Sequence, residues 1–164
     1  MRNVSAHKIE LYPPEVFRTL LEHEVNKSRR YGDSLTLVDF LVETDPAAPE
    51  TQQCAEAHVI HLLNLHLRDV DISCKRDNEF LILMPSTGAP GARTACERVR
   101  KLIRPEDQTD AGVSFKLSTF IGMVTLPIDH SISSDELAQS ASQALQYART
   151  NRITTVVAFS ETQK

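Results

Sequence analysis

The chain contains no tryptophan, and aromatic residues make up only 5% of its 164 positions. Proteins that grip single-stranded nucleic acid stack bases on such rings, so their scarcity argues against that role. Positive charge is short as well: 18 Lys and Arg face 22 Asp and Glu, a net charge of −4. General nucleic-acid binding needs a basic face, which this balance does not supply. A small anionic ligand held in a local basic pocket stays open. The three cysteines, Cys54, Cys74 and Cys96, are widely spaced and form no CxxC pair. Neither a zinc site nor a disulfide framework follows, and the odd number fits a reducing cytoplasm. The opening residues, MRNVSAHKIELYPP, lack the apolar core and small-residue cleavage site of a signal peptide. No apolar run approaches the roughly 18 residues needed to span a bilayer.

What is present is an ordinary domain composition, 41% hydrophobic and 24% charged, enough for one domain with a normal core. Pro13 and Pro14 suit only the start of a helix, where a missing N–H does no harm. Val16, Leu20, Leu21 and Val25 then recur at helical spacing, so a helix is expected over 14–30, stopped by Tyr31-Gly32-Asp33. Residues 34–43 read as a strand and 44–53, with two prolines, as a polar loop. A helix follows over 52–67, with Val59, Leu62, Leu63 and Leu67 in one stripe. Short strands over 70–75 and 79–84 flank Arg76-Asp77-Asn78, a tight hairpin, since Asp and Asn tolerate positive φ. A helix over 92–103 turns Ala95, Val99 and Leu102 or Ile103 inward. A loop over 104–113 leads to a long strand over 114–126. Ser133 or Ser134 caps the last helix, and Leu137, Ala141, Ala144, Leu145 and Ala148 line its buried face. Residues 153–159 close as a strand. The order α-β-α-β-β-α-β-α-β implies an α/β (α+β) fold, a mixed central sheet flanked by helices.

Residues 68–85, RDVDISCKRDNEFLILMP, resemble a pattern of the GGDEF (diguanylate cyclase) family. That pattern is an RxxD motif, a strand, the GGDEF hairpin, and a strand running to Met-Pro or Leu-Pro. STGAPGARTACERVR at 86–100 is similar to the family's helix after the hairpin. STFIGM at 118–123 is similar to its strand ending in Ser-Ile-Gly-Val, and ASQALQYAR at 141–149 to its last helix. The resemblance runs through the chain in order. It implies one domain over 1–164, with 1–12 as an N-terminal extension and 161–164 as a tail. It also implies a sheet wrapped by helices, akin to class III nucleotide cyclases. The activity it implies is the joining of two GTP molecules into cyclic di-GMP with Mg²⁺.

The residues behind that activity depart from the pattern. The hairpin's two glycines let the backbone approach a nucleotide closely, and Arg76 and Asp77 stand in their places. The third position, an acid that helps bind Mg²⁺, is Asn78, a poorer ligand for a hard cation. Glu79 and Phe80 match the end of the signature. The first strand's Asp-x-Asp-Phe-Lys acids align with Leu41 and Glu43, while Asp39 lies two residues earlier on the same strand face. The guanine-holding Asn-Asp and Gly-His-x-x-Gly-Asp are replaced by the unrelated residues 44–53. Of the N-terminal Asp-x-Leu-Thr-Gly-Leu-x-Asn-Arg-Arg signature, only the apolar frame of Ile9, Leu11 and Phe17 is kept. Ser142 stands where the last helix has an Asp, and Arg149 where it has a phosphate-contacting Lys. Phosphoryl transfer rests on positioning and metal electrostatics. The expectation is therefore a degenerate member with no catalytic residues, no Mg²⁺ and no other cofactor.

The family's inhibitory-type site reads differently. Arg68 and Asp71 match its RxxD motif. Counting without gaps from Phe80, Arg98 in Cys96-Glu97-Arg98-Val99-Arg100 falls on its second Arg. A guanidinium can fork onto O6 and N7 of guanine or neutralise phosphate, and a carboxylate can accept from guanine N–H groups. One residue fewer than is usual in the family separates Asp71 from Arg76. The expected function is a cytoplasmic cyclic di-GMP receptor. The alternative is a nucleotide-free pseudo-enzyme that docks a protein partner or dimerises, and residual cyclisation ranks last. Neither nucleic-acid binding nor membrane insertion is expected. His58, His61 and His66, with Cys54, have helical spacing that can suit zinc. No further ligand completes that set, which reads as a polar helix face. Ser86-Thr87-Gly88 is too short for a phosphate loop.

Overall fold

The computed structural model describes residues 11–103, 108–110, 113–127, 129 and 132–163. In chain order these form β1 (Leu11–Tyr12), α1 (Pro14–Tyr31), β2 (Leu35–Asp45), α2 (Pro49–His66), β3 (Ile72–Arg76) and β4 (Glu79–Pro85). There follow α3 (Ala89–Leu102), β5 (Gln108–Asp110), β6 (Val113–Thr125), α4 (Ser134–Thr150), β7 (Val157–Ala158) and a 3₁₀ turn (Phe159–Gln163). The strands lie in the order β1-β3-β4-β2-β6-β5, with β7 beside β6. β1 runs parallel to β3 and β7 parallel to β6, and the other pairs are antiparallel. The mixed sheet expected from the element order is present.

β2 is the axis of this sheet and is covered on both faces. Alternate residues point to opposite sides of a strand. Val38, Phe40 and Val42 therefore enter one core, with Ala55, Val59 and Leu63 of α2 and Ala92, Cys96 and Val99 of α3. Leu35 and Leu37 enter the other, under Phe17, Leu21 and Val25 of α1 and Leu137 and Ala141 of α4. The helix ends follow local chemistry. Gly32 takes φ +73 and returns its N–H to the Ser28 carbonyl at 2.8 Å, a left-handed stop that a residue with a Cβ enters at a cost. Ser133 Oγ accepts the Glu136 N–H at 3.1 Å, and the Glu136 carboxylate accepts the Ser133 N–H at 2.6 Å, which closes a capping box on α4.

Several boundaries differ from the sequence reading. The loop expected over 44–53 shrinks to three residues, because β2 continues to Asp45 and α2 begins at Pro49. Pro49 needs no N–H partner in a first turn, and Thr51 Oγ1 accepts the Ala48 N–H at 3.2 Å. α3 likewise starts at Ala89, with Pro90 in its first turn, rather than at residue 92. Leu11 and Tyr12, read as part of an extension, pair with Ser73 and Cys74. The closing strand expected over 153–159 is only two residues, and a 3₁₀ turn follows it over residues read in part as a tail. Residues 1–10, which include Ile9 of the apolar frame, lie outside the described residues.

Candidate functional site

The signature hairpin closes with Arg76 paired to Glu79 across the two-residue turn Asp77-Asn78, and Asp77 takes φ +54. Asp tolerates that left-handed backbone. The Lys75 ammonium steadies the turn by donating to the Asp77 carbonyl at 2.7 Å. Arg76 folds back to Glu79, Nη2 to Oε2 at 3.1 Å.

Register now ties the hairpin to β2. Leu41 stands opposite Glu79 and Phe40 opposite Phe80. Asp39 lies one pair deeper, between Leu81 of β4 and Gly122 of β6. Its side chain is fully buried and neither carboxyl oxygen has a hydrogen-bond partner. Burial pushes its pKa up to about 8, the nearby Glu79 charge adds to this, and Arg76 pulls the other way. Asp39 thus shares the sheet face of the aligned acids but sits beneath it rather than on its rim.

Between these positions, Val42 offers a backbone carbonyl. It accepts the Asn78 side-chain amide at 3.2 Å and the Gln52 side-chain amide at 3.2 Å. A carbonyl oxygen has two lone pairs, and both are engaged. The Val42 N–H in turn donates to the Asn78 carbonyl at 3.1 Å. Glu43, the second aligned acid, accepts Arg149 Nε at 2.7 Å and lies 3.7 Å from Arg152 Nη1. Arg152 also stands over the Phe120 ring, 4.9 Å from its centroid. Gln52 and Arg152 were not singled out from the sequence. Gln52 fell in a stretch read as loop running into helix, and Arg152 lies beyond the last matched motif.

The RxxD residues form a closed turn before β3. Asp71 Oδ2 accepts the Arg68 backbone N–H at 2.9 Å, and the Asp71 N–H donates to the Arg68 carbonyl at 3.0 Å. Arg68 Nη2 reaches Asp71 Oδ1 at 3.1 Å, the Pro85 carbonyl at 2.8 Å and Thr87 Oγ1 at 2.6 Å. The Asp71 side chain is only 4% exposed, whereas that of Arg68 is 52% exposed. Thr87 is a further residue of this site. The Pro85-Ser86-Thr87-Gly88 turn after a strand was its only sequence signal.

Burial pushes the Cys96 thiol up to about 12, with the charges of Glu97 and then Asp71 adding to it. Arg98 follows Cys96 by two residues and so leaves the helix roughly 200° round from it. It is exposed, and among the described residues it makes no hydrogen bond or ion pair. The structure therefore joins Arg68 to Asp71 and leaves Arg98 separate. His58, His61 and His66 lie on α2. Among the described residues no group of three or more His, Cys, Asp or Glu is arranged to hold a metal ion, and no helix is long and apolar enough to cross a membrane.

The mixed sheet centred on β2 thus carries the hairpin at one end of β3 and the RxxD turn at the other. The profile of the family described as diguanylate cyclase, GGDEF domain, matches residues 57–154, and the chain belongs to that family. The chain is similar to the GGDEF domain of DgcB from Caulobacter crescentus, solved in complex with c-di-GMP. Identity there is 14% and the TM-score 0.76, over 97% of this chain and 96% of that one. It is also similar to the diguanylate cyclase SiaD from Pseudomonas aeruginosa, solved with its activator SiaC. Identity there is 21% and the TM-score 0.79, over 90% of this chain and 58% of that one. The GGDEF domain of FimX from Pseudomonas aeruginosa matches at 16% identity and TM-score 0.76, over 94% of this chain and 99% of that one. At these identities the likeness is one of fold. No curated protein sequence matches the chain.

Proposed function

We propose that this chain is a GGDEF domain without cyclase activity that acts as a receptor for cyclic di-GMP. The observation that carries the reading is the Arg68–Asp71 turn. Asp71 and Thr87 hold the Arg68 guanidinium in place, and half of that side chain still faces solvent. All its described side-chain bonds use Nη2. A guanidinium carries five N–H donors, so its other edge can fork onto guanine or a phosphate. Arg98 supplies a second cation from α3. With its carboxylate already engaged by Arg68, Asp71 acts chiefly by orienting that arginine. Complexes with c-di-GMP among the similar structures agree with this ligand.

The lack of catalysis is supported by the donor set at the hairpin, which does not fit Mg²⁺. A hard cation wants several open oxygen ligands. Here Leu41 offers none, Asn78 turns N–H donors to Val42, Glu79 is paired with Arg76, and Asp39 is sealed in the core.

Titration calorimetry with cyclic di-GMP tests the reading. Micromolar or tighter binding that is lost in an Arg68→Ala variant still folded by circular dichroism supports it. No heat at high protein concentration overturns it in favour of an interaction domain without nucleotide. Product from GTP and Mg²⁺ above the blank, read by chromatography, overturns the claim of inactivity.

A further inference from the structure

We propose that the hairpin end of this domain is held shut by a metal-independent polar latch, in which nitrogen donors of Arg76, Asn78, Gln52 and Arg149 engage oxygens of Glu79, Val42 and Glu43 that a cation would otherwise compete for. Three oxygen-bearing groups gather where β2 meets the hairpin: the Glu43 and Glu79 carboxylates and the Val42 carbonyl. Each faces a nitrogen of this chain. Glu79 meets Arg76 at 3.1 Å, and Glu43 meets Arg149 at 2.7 Å. Val42 meets Asn78 and Gln52, both at 3.2 Å. Asn78 of the hairpin turn, Gln52 of α2 and Arg149 of α4 thereby bind three elements to the end of β2, while Arg76 of β3 closes the hairpin on itself.

An Asp at position 78 would turn a carboxylate, which has no proton to donate, toward the Val42 carbonyl. A Gly at position 76 would leave Glu79 without its cation. Reversing either one breaks the latch without making a cation site. Reversing both removes a fixed positive charge and sets a new carboxylate beside Glu79 and the Val42 carbonyl. That is an oxygen set suited to a hard divalent cation completed by water. The latch lies at the opposite end of β3 from Arg68 and Asp71, so it stands or falls separately from cyclic di-GMP binding.

The experiment compares wild type, Arg76→Gly, Asn78→Asp and the double variant by thermal unfolding with and without millimolar Mn²⁺. Mn²⁺-enhanced relaxation of water protons gives a second readout. Wild type should show neither a Tm shift nor enhancement. Each single variant should melt lower than wild type without metal. The double variant should gain a Tm rise of about 4 °C at ten times its dissociation constant. A wild-type response equal to that of the double variant overturns the proposal. So does a double variant that is folded by circular dichroism and unresponsive to Mn²⁺. Should Arg76→Gly fail to fold, Arg76→Gln combined with Asn78→Asp keeps the bulk at the hairpin and is held to the same two outcomes.

Discussion

The Leu145 nitrogen in α4 occupies the space a side chain on Gly122 in β6 would need. A Cβ at Gly122 would lie 2.2 Å from that nitrogen and 2.8 Å from the Ala141 carbonyl oxygen. α4 thus rests on the bare backbone of β6, and this seats Leu145 and Ala148 against Leu41 and Phe120. Gly122→Ala must lift the helix, since the obstructing atoms are backbone and cannot rotate away. The expected loss is about 3 kcal/mol or more. Urea denaturation should register it as a lower midpoint at constant m-value. An unchanged midpoint would mean that α4 can slide off β6 at no cost.

Asp39, the residue across from Gly122, governs a pH dependence. Its ordinary value is 3.8 and its folded value about 8, raised mainly by burial. Between these two values the folded state holds a proton that the unfolded state has released. Stability therefore falls as pH rises through that window, with a limiting slope of about 1.4 kcal/mol per pH unit. Asp39→Asn has no proton to lose and should flatten the profile. Urea midpoints taken from about pH 5 to about pH 7 check this. Equal slopes in wild type and variant would contradict a proton held at Asp39.

The contrast between these two residues indicates how far the sequence could be read. Gly122 was legible through the Ser118–Met123 motif, whereas the register of β2 on β4 comes from the structure alone. The loss of the hairpin glycines and acid could be read directly at Arg76, Asp77 and Asn78. The partners of the replacements could not. Nothing local in the sequence says that Asn78 and Gln52, 26 residues apart in numbering, meet on one carbonyl of Val42. Those contacts depend on how α2 settles after the turn over 46–48. The sequence reading began α2 and α3 three residues late, past Pro49 and Pro90, which both sit in a first turn, where proline is accepted.

Glu97 carries a pH dependence of opposite sign. Its Oε1 accepts the Val156 N–H at 2.8 Å and its Oε2 accepts Arg100 Nε at 2.6 Å. Arg93 completes the clasp by donating to the Val156 carbonyl at 2.7 Å. Burial alone would raise its pKa, but the Val156 N–H and Arg100 prevail and hold it below the usual carboxylate value. Its contribution is complete above that usual value and is lost as pH falls through the lowered one. Glu97→Ala leaves the Val156 N–H without its acceptor and should cost about 1–3 kcal/mol at neutral pH. Glu97→Gln keeps an acceptor and should lose less. The gap between wild type and Glu97→Gln, followed by urea midpoints, should close on acidification. A gap that stays constant down to acid pH would remove the charge from the account.

Arg68 and Arg98 differ in what else depends on them, and that difference separates binding from folding. Arg68 neutralises an Asp71 carboxylate that is only 4% exposed and also ties the turn to Pro85 and Thr87. Arg68→Ala should therefore cost about 1–3 kcal/mol of stability as well as affinity. A loss of ligand binding in that variant alone could reflect a loosened turn. Arg98 is exposed and unpaired among the described residues, so Arg98→Ala should leave the urea midpoint within about 0.5 kcal/mol of wild type. If Arg98 grips cyclic di-GMP, the same variant should weaken binding at least about tenfold, equivalent to about 1.4 kcal/mol. Undiminished affinity in Arg98→Ala would confine the receptor site to the RxxD turn.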